Sequence, residues 1–165
     1  MTAEQFNIEE VFEIAQQIER NGVRFYSKAA SLTKDQNNKL LLLDLVDMEE
    51  KHERVFANLQ EQVVKQMADR HVFDPDSSAV NYLQSYADGL VFDYKADPTL
   101  FITEDKSLEE ILTFAIGMEK ESILFYYGLQ ELVPEEFGKS NINTIIKEEL
   151  KHITFLSDKI KALSS

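Results

Sequence analysis

The chain has 165 residues, 44% of them hydrophobic and 28% charged, with only 5 Gly and 3 Pro, which is enough for one full-cored domain and favours long helices with few loops. Its 30 acidic and 17 basic side chains leave a net charge of -13, a surface that repels phosphate backbones and argues against non-specific nucleic-acid binding. No apolar run reaches the length of a membrane span, Met1 to Asn7 do not read as a signal peptide, and the absence of Cys removes disulfides, thiolate metal sites and thiol chemistry, so a cytoplasmic protein is expected.

The first helix is expected from Asn7, where Asn7-x-x-Glu10 resembles a capping box. Ile8, Val11, Ala15, Ile18, Gly22, Phe25, Ala29 and Leu32 then recur at steps of three and four and define one helix face. After the polar stretch Thr33 to Asn38, a second helix is predicted from about Lys39 to beyond Val63. Its inward stripe is Leu42, Leu45, Glu49, His52, Phe56, Leu59 and Val63. The short turn predicts an antiparallel hairpin.

From about Asp69 to Glu104 the pattern breaks. This stretch holds Asp74-Pro75-Asp76, a short helical segment near Ala79 to Ala87, then Asp88-Gly89 and Asp97-Pro98. It is too long for a turn and fits a crossover that lets the next helix start parallel to the second. That helix opens at the capping box Ser107-x-x-Glu110, with the stripe Leu108, Ile111, Ala115, Met118, Ser122, Phe125, Leu129 and Leu132, and Pro134 and Gly138 close it. The last long helix carries Ile142, Ile145, Glu149, His152, Leu156, Ile160 and Leu163. The expected fold is all-α: an antiparallel four-helix bundle of two hairpins joined by a long crossover with a short helix, as a single domain over residues 1–165.

One polar pattern occurs twice, one hundred positions apart: Glu19 with Glu49-x-x-His52, and Glu119 with Glu149-x-x-His152. The halves also share Ala15/Ala115, Phe25/Phe125, Tyr26/Tyr126 and Lys51/Lys151, so their identity concentrates around these six side chains. Glu and His three apart lie side by side on one helix face, and here that face is otherwise apolar. A lone Glu-x-x-His is ordinarily a solvated polar face, and a lone interior His ordinarily a satisfied core residue. Two such pairs, each on an apolar stripe and each preceded by an inward Glu thirty residues earlier, read differently.

Four carboxylates directed into one apolar interior are prohibitive unless cations neutralise them, and two divalent ions cancel their charge with both imidazoles neutral. One Glu from each of two helices plus Glu-x-x-His from each of two others is the ligand set of di-iron bundle proteins. Iron suits it, with manganese an option and zinc a substitute. Ala15, Gly22, Ala115 and Ser122, one turn from Glu19 or Glu119, leave volume for metal and a small ligand. Tyr26 and Tyr126 follow their glutamates by two turns and are placed to hydrogen-bond ligand carboxylates of neighbouring helices. Glu50, Glu53, Glu121 and Glu148 fall beside the stripes and are expected to face solvent, with Glu121 the candidate exception; His71 reads as a surface residue.

On Ile18-Glu19-x6-Tyr26, Glu49-x-x-His52, Met118-Glu119-x6-Tyr126 and Glu149-x-x-His152, with the intervening crossover, the chain resembles the rubrerythrin-like branch of the ferritin-like superfamily over essentially its whole length. The resemblance implies Glu49 and Glu149 as bridging ligands, Glu19 and Glu119 as terminal carboxylates, and His52 and His152 as terminal ligands of one metal each. It also implies a homodimer and reduction of hydrogen peroxide or dioxygen, or oxidation of ferrous iron. Rubrerythrin proper adds a four-cysteine rubredoxin domain; this chain has no Cys, so electrons must come from an external donor, rubredoxin-like or other. Rubrerythrin proper also carries an extra carboxylate one turn from the ligand on this helix, whereas the positions flanking Glu119 are Ile116 and Ser122. The leading expectation is a di-iron redox enzyme acting on a small-molecule oxidant. The alternatives are iron handling without peroxide turnover and a metal-stabilised helical interaction module.

Overall fold

A computed structural model describes residues 8–67 and 77–165. The proposed cap at Asn7, the Asp74-Pro75-Asp76 turn and the surface assignment of His71 lie outside the described residues. Among the described residues five α-helices follow in order: α1 (Ile8–Leu32), α2 (Gln36–Met67), α3 (Ser78–Ala87), α4 (Leu108–Leu132) and α5 (Lys139–Leu163). Single 3-10 turns, Pro98–Phe101 and Glu135–Phe137, lie on either side of α4.

Helix α2 starts earlier than the sequence pattern placed it. Asp35 is the reason: its carboxylate accepts from the Asn38 amide at 2.8 Å, an N-cap that starts the helix within the polar stretch. The predicted capping box at the head of α4 is present, with Ser107 accepting from the Glu110 amide at 3.1 Å and Glu110 accepting from the Ser107 amide at 2.8 Å. Gly138 turns the chain into α5 with φ 102°, and a Cβ there would lie 2.4 Å from Leu59 Cδ2, so both conformation and space require glycine. Leu32 and Leu163, the last members of their stripes, are exposed. Both close a helix and so run past the packed section.

Hairpins α1/α2 and α4/α5 form the two halves, and α3 with the Pro98–Phe101 turn carries the crossover along α4 and α1. Between the hairpins, Tyr26 meets Glu119 while Tyr126 meets Glu19, a pairing possible only if α1 and α4 run antiparallel. His52 likewise meets Glu148 while His152 meets Glu49, so α2 and α5 are antiparallel as well. Helix α4 is therefore parallel to α2, as the crossover implied.

The apolar interior divides into two clusters at opposite ends of the bundle. One gathers Phe12, Phe56, Leu59, Phe125, Tyr126, Leu129 and Ile142 among others. The other holds Phe25, Tyr26, Leu42, Leu45, Leu112 and Leu156. Between them, at mid-length of all four long helices, lies a buried polar layer of Glu19, Glu49, His52, Glu119, Glu149 and His152. Burying an aliphatic or aromatic side chain stabilises by roughly 1.5–3 kcal/mol, so the two clusters supply the free energy that holds a costly polar layer inside.

Candidate metal centre

All six side chains singled out by the repeat meet in that layer. They form two overlapping groups, Glu19-Glu49-His52-Glu149 and Glu49-Glu119-Glu149-His152, each with one ligand atom per residue lying within 4.8 Å of the others. Glu49 and Glu149 belong to both groups, whereas each imidazole and each α1 or α4 carboxylate belongs to one.

Glu149 directs one oxygen to each imidazole. Its Oε1 lies 3.0 Å from His52 Nδ1 and its Oε2 lies 2.8 Å from His152 Nδ1. His52 Nδ1 is also 3.5 Å from Glu19 Oε2, and His152 Nδ1 is 3.3 Å from Glu49 Oε1 and 3.6 Å from Glu119 Oε1. The two rings are stacked with centroids 5.7 Å apart. Both imidazoles thus turn Nδ1 toward the carboxylates, leaving Nε2 for other partners.

Burial raises the affinity of Glu19, Glu49 and Glu149 for protons, and repulsion from neighbouring carboxylates adds to it. Glu149 is pushed up to about 8 by burial and by Glu49 and Glu119. Glu49 is raised by burial with Glu119 and Glu19, and Glu19 by burial with Glu149. Burial works against a charged His52, yet the closeness of the Glu149 and Glu19 carboxylates outweighs it and raises the imidazole to about 11. His152 is raised for the same reason by Glu119, Glu149 and Glu49. The layer needs positive charge, and protons or cations can provide it.

Hydrogen bonding shows the same need atom by atom. Glu19 Oε2, Glu49 Oε1, both Glu149 oxygens and Nδ1 of both imidazoles are buried without a hydrogen-bond partner. Those are the atoms facing one another across the layer. A fully buried donor or acceptor left unpaired costs about 1–3 kcal/mol, and a pair of divalent ions would satisfy the whole set. Carboxylate oxygens with one imidazole per position suit iron, manganese or zinc.

Glu19 and Glu119 are also held across the bundle. Tyr126 donates its hydroxyl to Glu19 Oε1, and Tyr26 donates to Glu119 Oε1. Both phenols are held far from ionising, by burial first and by the carboxylate they serve second, so they remain donors. Gly22 also has its reason: a Cβ there would lie 3.0–3.1 Å from the Glu49 side chain, so its absence lets α2 bring Glu49 inward.

One expectation about the flanking glutamates requires correction. Glu148 is not solvent-facing: it reaches from α5 to α2 and bonds His52 Nε2 at 2.8 Å, with Lys51 Nζ 3.6 Å from its other oxygen. Burial disfavours its charge, but the bond to His52 outweighs that and lowers its proton affinity. Glu121 is half-buried, with a buried Oε2 that has no hydrogen-bond partner, and it belongs to neither ligand group. Glu50 is exposed as expected, and the half-buried Glu53 pairs with Arg20 at 2.7 Å. Sequence spacing could not find Glu148, because its partner is 96 residues away on another helix.

A cavity of about 230 Å³ runs beside the layer, between α1, α4 and the crossover. Gly22, Tyr26, Glu49, Glu119 and Ser122 line its inner end, so it approaches the Glu119 side of the cluster.

No family model and no curated protein matches the chain. Among solved structures it is similar to a Thermotoga maritima protein, with 25% sequence identity, a TM-score of 0.67, and coverage of 93% of this chain and 94% of that one. That protein is described, provisionally, as a ferritin-like diiron-carboxylate protein. The fold is ferritin-like. Among the described residues no helix is long and apolar enough to cross a membrane.

Proposed function

We propose that the chain is a di-metal redox protein of rubrerythrin type, reducing hydrogen peroxide or dioxygen with electrons from a separate donor. The observation that carries this reading is Glu149, whose two oxygens each serve a different imidazole at the centre of a fully buried carboxylate set. The description of the Thermotoga protein favours iron over manganese or zinc. Bound there, a pair of iron ions would supply the electrons by cycling between +2 and +3.

The protein's own part is to place donors and exclude water. Glu49 and Glu149, common to both groups, are the bridging candidates. Glu19 and Glu119 are the terminal carboxylates, each fixed by a tyrosine hydroxyl. His52 and His152 each complete one position. Apolar clusters above and below the layer keep bulk water away, and the cavity reaching Glu49 and Glu119 gives a small oxidant a way in. With no Cys in the chain, the reductant is another protein or a small molecule.

The test is direct. Protein loaded anaerobically with two equivalents of ferrous iron should change its near-ultraviolet and visible spectrum on adding one equivalent of peroxide, and should consume peroxide repeatedly when a reductant is present. Unchanged spectra with both peroxide and oxygen would sink the proposal. A single oxidation without turnover would point to iron handling instead.

A further inference from the structure

We propose that the cavity beside the carboxylate layer is a binding site for a small organic cation, with a compact apolar or aromatic body and a primary ammonium head. Its size is the first argument. A water molecule takes about 30 Å³ of liquid volume and a cavity of about 150 Å³ holds benzene, whereas this one measures about 230 Å³. Peroxide or dioxygen alone would leave most of it unfilled.

Its walls are the second. Phe92, Phe101, Phe114, Tyr86 and Met118 line it. Phe114 stacks on Phe101 with centroids 4.2 Å apart, and Tyr86 packs against Phe92 at 6.0 Å. The faces of Phe101 and Phe114 are taken by each other, by Lys106 and by Phe25, so these rings offer their edges as an apolar wall that buries the body of a ligand.

Charge is the third argument. The lining includes Glu121, Asp93 and Asp97 in addition to Glu49 and Glu119, with no Lys, Arg or His among the described residues. Asp97 is already paired with Arg24 at 2.7 Å, and Asp93 accepts from the Lys95 amide. Glu121 has no such partner: its Oε2 is buried and unbonded, and the hydroxyl of the fully buried Tyr86 is unbonded as well. Burial and the nearby Glu121 carboxylate both hold the Tyr86 phenol protonated. A carboxylate with one buried, unbonded oxygen and an unbonded hydroxyl match the needs of an ammonium, and the aromatic walls those of an apolar body. A divalent cation asks for six or more oxygen ligands, or a tetrahedral set with imidazole or thiolate, and finds neither here.

This assignment concerns binding and does not depend on the redox reading. The full chain is first titrated with zinc, whose stoichiometry reports separately on the metal centre. It is then titrated calorimetrically with benzylamine, benzoate and toluene, whatever that stoichiometry proves to be. Benzylamine should bind one to one and at least tenfold more tightly than benzoate. Glu121→Gln should weaken benzylamine at least tenfold while leaving toluene within twofold. Absence of saturable benzylamine binding, equal binding of benzoate, or indifference to Glu121→Gln overturns the proposal. If Glu121→Gln does not fold, Ala96→Trp decides: it fills the cavity from the crossover and should abolish binding of both benzylamine and toluene. Retained benzylamine binding in that folded variant equally overturns the assignment.

Discussion

His52 and His152 occupy equivalent turns of α2 and α5, one hundred residues apart, yet their surroundings differ. His52 Nε2 bonds Glu148 at 2.8 Å, while His152 Nε2 is buried with no partner. The repeat explains the difference, because the position matching Glu148 in the first half is Met48. Glu148 orients the His52 ring with Nδ1 inward and strengthens it as a donor; among the described residues nothing equivalent does so for His152. The cavity adds to the asymmetry by reaching Glu119, which serves only the His152 group. A duplicated pattern has thus produced one braced position and one open position.

The largest effect should come from removing what the halves share. Glu149→Ala takes an oxygen from each imidazole at once, so it should abolish binding of a metal pair rather than weaken one member. Calorimetric titration with zinc or ferrous iron would show this, and a variant that still takes up two ions would refute the bridging role.

The next test separates the halves. Glu148→Gln should weaken one of two metal-binding steps by about 10–100-fold, the usual cost of losing such an outer partner, and leave the other step unchanged. Met48→Glu should tighten the second step and narrow the gap. Equal weakening of both steps by Glu148→Gln would show that the braced and open positions are not distinct.

Protons should erase the comparison by acting on both halves through Glu149. With this carboxyl raised to about 8 and His52 to about 11, the metal-free layer holds protons at neutral pH that a cation must displace. Affinity should therefore rise with pH, about tenfold per unit below pH 8 for each proton released. Both shifts are upward, so the metal-free fold binds more protons than the unfolded chain. It should lose stability as pH climbs from 4.5 through 8 on account of Glu149, and from 6.5 toward 11 on account of His52. Titrations in buffers of different ionisation enthalpy measure the proton release; a release of zero would contradict it.

Much of this centre was legible in the sequence because helical periodicity is rigid. Once Leu42, Leu45, Phe56 and Leu59 turn inward, Glu49 and His52 must follow, and the repeat doubles the signal. The carboxylate-binding role of Tyr26 and Tyr126 followed from the same register. What escaped depends on contacts between elements that no local pattern encodes. Glu148 lies one position off its stripe and finds its partner only when α5 is laid against α2. Gly128 is similar: a Cβ there would lie 2.7 Å from the Tyr82 ring, so the glycine seats α3 on α4, a notch invisible until the crossover is placed. The cavity is the third case, since α1, α4 and the crossover make it jointly.

Gly22 offers the smallest and most discriminating test, because the halves differ there too: its counterpart is Ser122, which bonds back to the Met118 carbonyl at 2.9 Å. Alanine is favoured over glycine inside a helix by about 1 kcal/mol. A Cβ at Gly22 would press on Glu49 Cγ, Cδ and Oε2 at 3.0–3.1 Å, so the carboxylate must retreat by a few tenths of an ångström. In the metal-free protein a single flexible side chain can give way, and Gly22→Ala should raise stability by up to about 1 kcal/mol in thermal or denaturant unfolding. With metal, the same displacement moves a carboxylate common to both groups, so affinity should fall. Stabilisation of the metal-free form together with weaker binding would mean that the missing methyl serves the centre rather than the helix. A variant that gains stability and keeps full affinity would show instead that Glu49 does not need the space.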